Sequence, residues 1–500
     1  MIQGTGSGVG KSLITAALCR HFYQQGIKVA PFKSQNMALN SFVTESGGEM
    51  GRAQAYQAEA CGVKPTVLMN PILLKPSGNN VSQVIVMGKV TGNRDAKNYY
   101  SRHAEHLNTA CQALKDLRSS YEMVILEGAG SPAEINLKQW DLVNMRMAEM
   151  AEAPVLIVGD IDRGGVFAWM KGTYDLLSPS EKDRVCGFII NKFRGDIDLL
   201  TPGLKQFEDL VGKPILGVLP YAKDLMVDEE DAIPQQYYPA LNTQERILDV
   251  AVIWLPRISN FTDVSPLAAD PNVSLRYVSH PQFLGNPDLI ILPGSKNSVD
   301  DLQHLNNHGL SKEIQRCSGE GSIVLGICAG FQFLGKKVCD PLHLESSHAQ
   351  VEGLGYFDFT TTLQSEKITR QVKVKTSASS FFSPGLDVTG YEIHMGLTKF
   401  HSTPSVLFNG LENSQELGVV HSSGTVLGTP IHGFLDNDPL RESLLNQVRS
   451  LRNIPKPEGA FDYQAFREKQ LDRLGDLVRD HLDMNRITDI VFAKNKGEKK

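Results

Sequence analysis

Two stretches of this 500-residue chain place reactive side chains where a strand turns into a helix. In Gly4-Thr5-Gly6-Ser7-Gly8-Val9-Gly10-Lys11-Ser12, glycines free backbone N–H groups to cradle phosphate oxygens. Lys11 supplies charge and Ser12 offers a hydroxyl to Mg2+, so Gly6, Gly8, Gly10, Lys11 and Ser12 are candidate nucleotide-phosphate ligands. Residues 13–24 read as the helix whose positive end faces the anion. The second stretch, Ser322-Ile-Val-Leu-Gly-Ile-Cys328-Ala329-Gly330-Phe-Gln332, is a buried strand turning sharply through small residues, with Cys328 at the apex. That pattern predicts a nucleophile elbow. The turn is expected to present the sulfur at the start of a helix, where the Ala329 N–H can stabilise an oxyanion. A second donor is expected from Gly294 in Leu292-Pro293-Gly294-Ser295, another strand ending in a flexible turn.

Each centre needs partners. A base for Cys328 is expected at a later strand end, where His432 stands in Val426-Leu-Gly-Thr-Pro-Ile-His432-Gly433; His394 in Gly390-Tyr-Glu-Ile-His-Met-Gly396 is the rival. Near the phosphate loop, Glu127 ends an apolar run and is followed by Gly128-Ala129-Gly130, which puts a carboxylate at the sheet edge where Mg2+ and phosphates lie. Asp160 and Asp162 leave the next strand in the same way; at least one faces the site, and Asp162 is the candidate metal ligand. Lys33 is a candidate phosphate or carboxylate contact.

The elements that must position these groups alternate in type. Apolar, β-rich runs at 28–31, 123–126, 154–158, 187–190 and 215–219, separated by helical stretches, predict a parallel sheet with crossover helices over 1–227. Polar, proline-containing text at 228–247 reads as a linker. A second α/β series over 248–450 has strands at 248–254, 289–292, 322–326, 418–421 and 425–427. The tail, 451–500, holds an amphipathic helix over 461–482 and a basic end at 494–500. A net charge of −6 gives no basic field for nucleic acid, and no run approaches a membrane span of ~18 apolar residues. Seven dispersed cysteines read as reduced thiols, and a cytoplasmic location is expected.

These residues resemble known families. The usual G-x4-G-K spacing would put glycine at position 5, where this chain has Thr5 with Gly4 one place earlier. That longer loop is similar to the dethiobiotin-synthetase-like ATPases, and the Cys328 half resembles class I triad glutamine amidotransferases. Their fusion in this order resembles the cobyric acid synthase family. Further stretches do the same: Pro31-Phe-Lys-Ser-Gln-Asn-Met-Ala-Leu-Asn-Ser41, Glu127-Gly-Ala-Gly-Ser-Pro-Ala-Glu-Ile-Asn-Leu137, Gly159-Asp-Ile-Asp-Arg-Gly-Gly-Val-Phe167 and Leu255-Pro-Arg-Ile-Ser-Asn-Phe-Thr-Asp263. The resemblance runs from Gly4 to the tail segment Leu471-Asp-Arg-Leu474.

It implies a P-loop NTPase-like α/β domain followed by a glutaminase α/β domain. The implied reaction uses ATP, Mg2+ and glutamine to amidate the b, d, e and g carboxylates of adenosylcobyrinic acid a,c-diamide, in four steps. Asn191 looks like an adenine-contacting asparagine, and Glu49 like a further metal or substrate carboxylate. Most triads of this class read His-x-Glu, but Phe434 stands two places after His432, so the third member is missing or comes from elsewhere, with Glu392 and Asp436 as substitutes. The alternatives are the sibling that amidates the a and c side chains and a MinD/ParA-like ATPase with an inactive second domain. The quoted stretches argue against the first; the absence of an early loop lysine argues against the second.

Overall fold

The computed structural model describes residues 1–78, 81–222, 225–226, 247–378, 381–409 and 417–492. The expected linker, except its last position, and the basic end lie outside the described residues. The chain forms two compact units, neither of them contiguous in sequence.

The first comprises Met1–Ala38, Glu49–Glu230 and Arg467–Lys500. Its parallel strands Ile2–Gly4, Val155–Asp160, Val185–Phe193 and Ile215–Pro220 pair in that order. The parallel pair Val29–Phe32 and Met123–Leu126 joins them through a bridge from Ile2 to Glu127. The three-residue strand Ile2–Gly4 is therefore central, with pairing on both sides, and delivers the phosphate loop directly to the sheet's carboxyl edge. All six residues of Val155–Asp160 are buried, as expected of a parallel strand covered on both faces. A mostly antiparallel sheet, Gln35–Met37, Ile72–Gly78, Val81–Val86 and Lys89–Asp95, stands apart from it. The tail helix Tyr463–His481 inserts Leu471, Leu474 and Val478 into the apolar core that holds Ile14, Leu18 and Phe22 of the helix Lys11–Gln24. Arg20 on that helix bonds Asp472 at 2.9 Å and Glu468 at 2.7 Å, so the tail buttresses the phosphate-facing helix from behind.

The second unit comprises Leu39–Gly48 and Asp231–Phe466. Strands Val273–Val278, Leu248–Ile253, Leu289–Leu292, Ile323–Ile327 and Val426–Thr429 lie parallel in that order, with Val419–Val420 and Ser405–Val406 antiparallel at one edge. Alternate side chains of these strands feed separate apolar layers: Val250, Val252, Leu289 and Ile291 go to one, Ala251, Ile253, Ile290 and Leu292 to the other. Period-2 alternation with both faces apolar is what a sheet covered on both sides requires. A second sheet is built on the long hairpin Phe359–Thr376 and Asp387–Phe400, against which the short strand Ile431–His432 pairs. Among the described residues, no helix is long and apolar enough to cross a membrane.

Candidate active site

In the first unit the loop's charged groups converge. Gly8 and Gly10 take left-handed backbones, φ 71° and 99°. A side chain at Gly10 would overlap the Asn191 amide, so glycine is required there on two counts. Lys11 Nζ donates to Gly6 O at 2.7 Å and Gly130 O at 3.0 Å, spanning the loop. Ser12 Oγ donates to Glu127 Oε1 at 2.8 Å; Lys33 Nζ meets the same oxygen at 3.0 Å, and Gln57 Nε2 donates to Oε2 at 2.5 Å. Burial pushes the Glu127 carboxyl up, but the Lys33 charge and the Gln57, Lys33 and Ser12 hydrogen bonds overcome it and hold its pKa below the ordinary value.

Asn191 donates its amide to Val9 O at 2.9 Å, latching the loop from the strand Val185–Phe193, two places along the sheet. Lys192 donates to Gly8 O at 2.7 Å and pairs with Asp160 at 3.0 Å. Of the two acids after Val155–Asp160, the structure thus turns Asp160 toward the loop. Asp162, the expected metal ligand, pairs its partly exposed carboxylate with Arg194 at 2.9 Å. Glu49 is buried against Lys75 at 3.1 Å.

The remaining oxygen donors, the Ser12 hydroxyl and the Glu127 carboxylate, fit Mg2+, which keeps several water and phosphate oxygens in its shell. Among the described residues no group of three or more His, Cys, Asp or Glu side chains forms a protein-only cage for a metal.

In the second unit the elbow is formed. Cys328 adopts φ 53°, ψ −105° between the strand Ile323–Ile327 and the helix Ala329–Phe333, a backbone that L-residues adopt only under constraint. The constraint is close packing: a Cβ at Gly326 would stand 2.5 Å from Gly330 O, and one at Gly330 would overlap Leu292 O. Gly330→Ala is therefore expected to destabilise this unit by about 1–3 kcal/mol through overpacking, read as a lowered thermal midpoint together with slower reaction of Cys328 with an alkylating agent.

His432 closes the short strand Ile431–His432, and its Nδ1 bonds Asp263 Oδ2 at 2.6 Å while Gly433 N donates to Asp263 Oδ1 at 2.9 Å. Burial opposes a charged ring here, but the Asp263 carboxylate and the Cys328 sulfur, both within hydrogen-bonding reach of the imidazole, outweigh it and push His432 up to about 10. Gly294 lies beside the same ring: a Cβ there would be 3.2 Å from His432 Cε1. Ala329 is the first helical residue, where no carbonyl of the helix reaches the N–H.

Asp263 thus stands against His432 Nδ1 where the third member was expected, and Glu392, one of the expected substitutes, is engaged elsewhere. Glu392 is occupied by Arg370 and by His394 at 3.1 Å, and burial, offset by those two partners, leaves its pKa below the ordinary value. His394 also faces Gly396 O at 2.9 Å, so it forms a separate pair with Glu392. Asp263 lies on the 3-10 turn Phe261–Val264, 169 positions before the histidine. The only signal for it was its place at the end of Leu255–Asp263.

The family model for the CobQ/CobB/MinD/ParA nucleotide binding domain matches residues 1–234, and that for the CobB/CobQ-like glutamine amidotransferase domain matches 249–440. The cobyric acid synthase of Caldanaerobacter subterraneus subsp. tengcongensis is 48% identical over 98% of this chain and 98% of its own. That of Dehalococcoides mccartyi is 48% identical over 98% and 97%, and that of Clostridium botulinum 46% over 99% of both.

Proposed function

The chain belongs to the cobyric acid synthase family, and on that premise we propose that Cys328, His432 and Asp263 free ammonia from glutamine while Lys11, Ser12 and Glu127 serve the ATP that activates a corrinoid carboxylate. The enzyme is a glutamine-dependent, ATP-using amidating ligase of cobalamin biosynthesis. The full-length relatives carry that name at nearly complete coverage, which leaves no room for a MinD/ParA-like module with an idle second domain.

Cys328 Sγ attacks the carboxamide carbon of glutamine, and the Ala329 and Gly294 N–H groups receive the charge that develops on oxygen. His432, kept protonated by Asp263, gives its proton to the departing ammonia. Water then hydrolyses the thioester, with His432 as base, and glutamate leaves. On the other side, a peripheral carboxylate of adenosylcobyrinic acid a,c-diamide attacks the terminal phosphorus of ATP; ammonia displaces phosphate from the resulting acyl phosphate. Lys11 and the loop N–H groups hold the phosphates and balance their charge. Ser12 and Glu127 would hold Mg2+, which when bound offsets charge on the transferring phosphoryl group. The b, d, e and g side chains are amidated in this way, in the cytoplasm and with no nucleic-acid partner.

The observation that supports this reading most is the left-handed cysteine elbow facing a histidine held by a buried carboxylate. The test is stoichiometry. Purified protein with glutamine, ATP, Mg2+ and the a,c-diamide is expected to yield glutamate, phosphate and new amide in equal amounts, ending at four amides per corrinoid. Phosphate release without corrinoid amidation would refute the substrate.

A further inference from the structure

Within the second unit, one short stretch supports all three residues of the cysteine centre. Leu39–Gly48 is separated in sequence from the rest of that unit and is flanked on both sides by chain of the nucleotide-binding unit. Asn260, in a left-handed backbone with φ 53°, accepts from Ser41 N at 3.0 Å through its side chain, and Phe261 N donates back to Asn40 Oδ1 at 3.3 Å. These two bonds fix the start of the turn Phe261–Val264 that presents Asp263. Tyr391 donates its hydroxyl to Ser41 O at 3.1 Å, packs edge-on against Phe42 at 5.3 Å, and stacks on the His432 ring at 5.5 Å and 23°. Val43, Tyr391 and Ile393 form one small apolar cluster, and Ile393 O accepts from Cys328 Sγ at 3.8 Å. The side-chain amide of Gln371 bonds Val43 O.

We propose that Leu39–Gly48 is a positioning segment of the cysteine centre and that Tyr391 is the positioning residue through which it orients His432. Neither touches glutamine; both act through the base and the acid. The phosphate side lies a few residues away along the chain: Lys33 precedes the segment and Glu49 follows it. Glutamine hydrolysis thereby depends on a segment whose flanking chain on both sides belongs to the nucleotide-binding unit.

The inference rests on the proposed roles of Cys328, His432 and Asp263, and its test separates the two. Steady-state glutaminase kinetics are measured in the full-length protein beside ammonium-dependent amidation. Tyr391→Leu is expected to lower the glutamine-dependent kcat about 10²-fold, the cost of misplacing a catalytic group by about an ångström, with KM for glutamine and ammonium-dependent amidation unchanged. Tyr391→Phe, which keeps the ring, recovers most of that loss. Asn260→Gly, which tolerates the left-handed backbone, lowers kcat about 10-fold. The proposal is overturned if Tyr391→Leu and Asn260→Gly both keep kcat within about two-fold of the wild type, or if they lose both activities in parallel. If Cys328→Ala retains glutamine use, the reading of the centre itself has failed instead.

Discussion

Asp263→Asn is expected to lower glutamine-dependent amidation by about 10³–10⁴-fold while leaving ammonium-dependent amidation intact. The carboxylate does two things for His432: it fixes the ring through Nδ1 at 2.6 Å, and it keeps the buried imidazole charged. An amide at the same place still fits but removes the charge, and burial then lowers the ring below its ordinary value of about 6.5. The imidazolium that must carry the proton from the Cys328 thiol to the leaving ammonia is then no longer stabilised, and the amide can hold the ring in the wrong tautomer. The same linkage predicts a stability difference. A folded-state pKa raised to about 10 contributes stability that is fully present below the unfolded value and fades as pH rises through about 10. Wild type should therefore lose stability between pH 7 and 10 in denaturant titrations, and Asp263→Asn should lose less over that window. An Asn variant with wild-type glutaminase kinetics would remove Asp263 from the centre.

Lys11→Ala should do the reverse in scope. It is expected to cut phosphate release and both modes of amidation about 10²–10³-fold, the scale of losing one preorganised charge at a reacting group, while basal glutamine hydrolysis persists. Lys11 Nζ is already oriented by Gly6 O and Gly130 O, so the loop holds its one charge in position before phosphate arrives. Lys11→Arg should fail nearly as badly, because a planar guanidinium cannot replace a compact ammonium between those two carbonyls. Phosphate assays with glutamine and then with ammonium distinguish this from a glutaminase defect. A variant that amidates normally would discard the loop as the ATP site.

Local sequence carried the strand positions well. Residues 123–126 and 289–292 match the observed strands, and 215–219 and 248–254 match to within a residue, because parallel strands, buried or, like the edge strand Ile215–Pro220, half-buried, read as unbroken apolar runs. The hairpin Phe359–Thr376 and Asp387–Phe400 was not legible: most of its charged residues, the buried Glu392 apart, sit on the wet side of an antiparallel pair, and its text resembles a surface loop. Cys328 and Lys11 stand in local motifs and could be found by spacing. Asp263, Gln57 and Lys192 could not, since each is a single polar residue whose partner is distant in the chain; Asp263 closes the family-like stretch Leu255–Asp263, but nothing in that stretch says which residue it meets. The same reason hid the placement of Leu39–Gly48 with the second unit. The division of labour between Asp160 and Asp162 depended on which way one turn points its side chains, and two acids one residue apart are indistinguishable until the turn is seen.

Cys328→Ala tests most directly whether ammonia release and carboxylate activation are separate chemistries in one chain. Corrinoid amide formation is measured with ATP and Mg2+, first with glutamine and then with ammonium as the nitrogen source. We expect no amide from glutamine and near wild-type amidation from ammonium. Loss of both, in a variant that remains folded by circular dichroism, or retention of glutamine use, would contradict that separation.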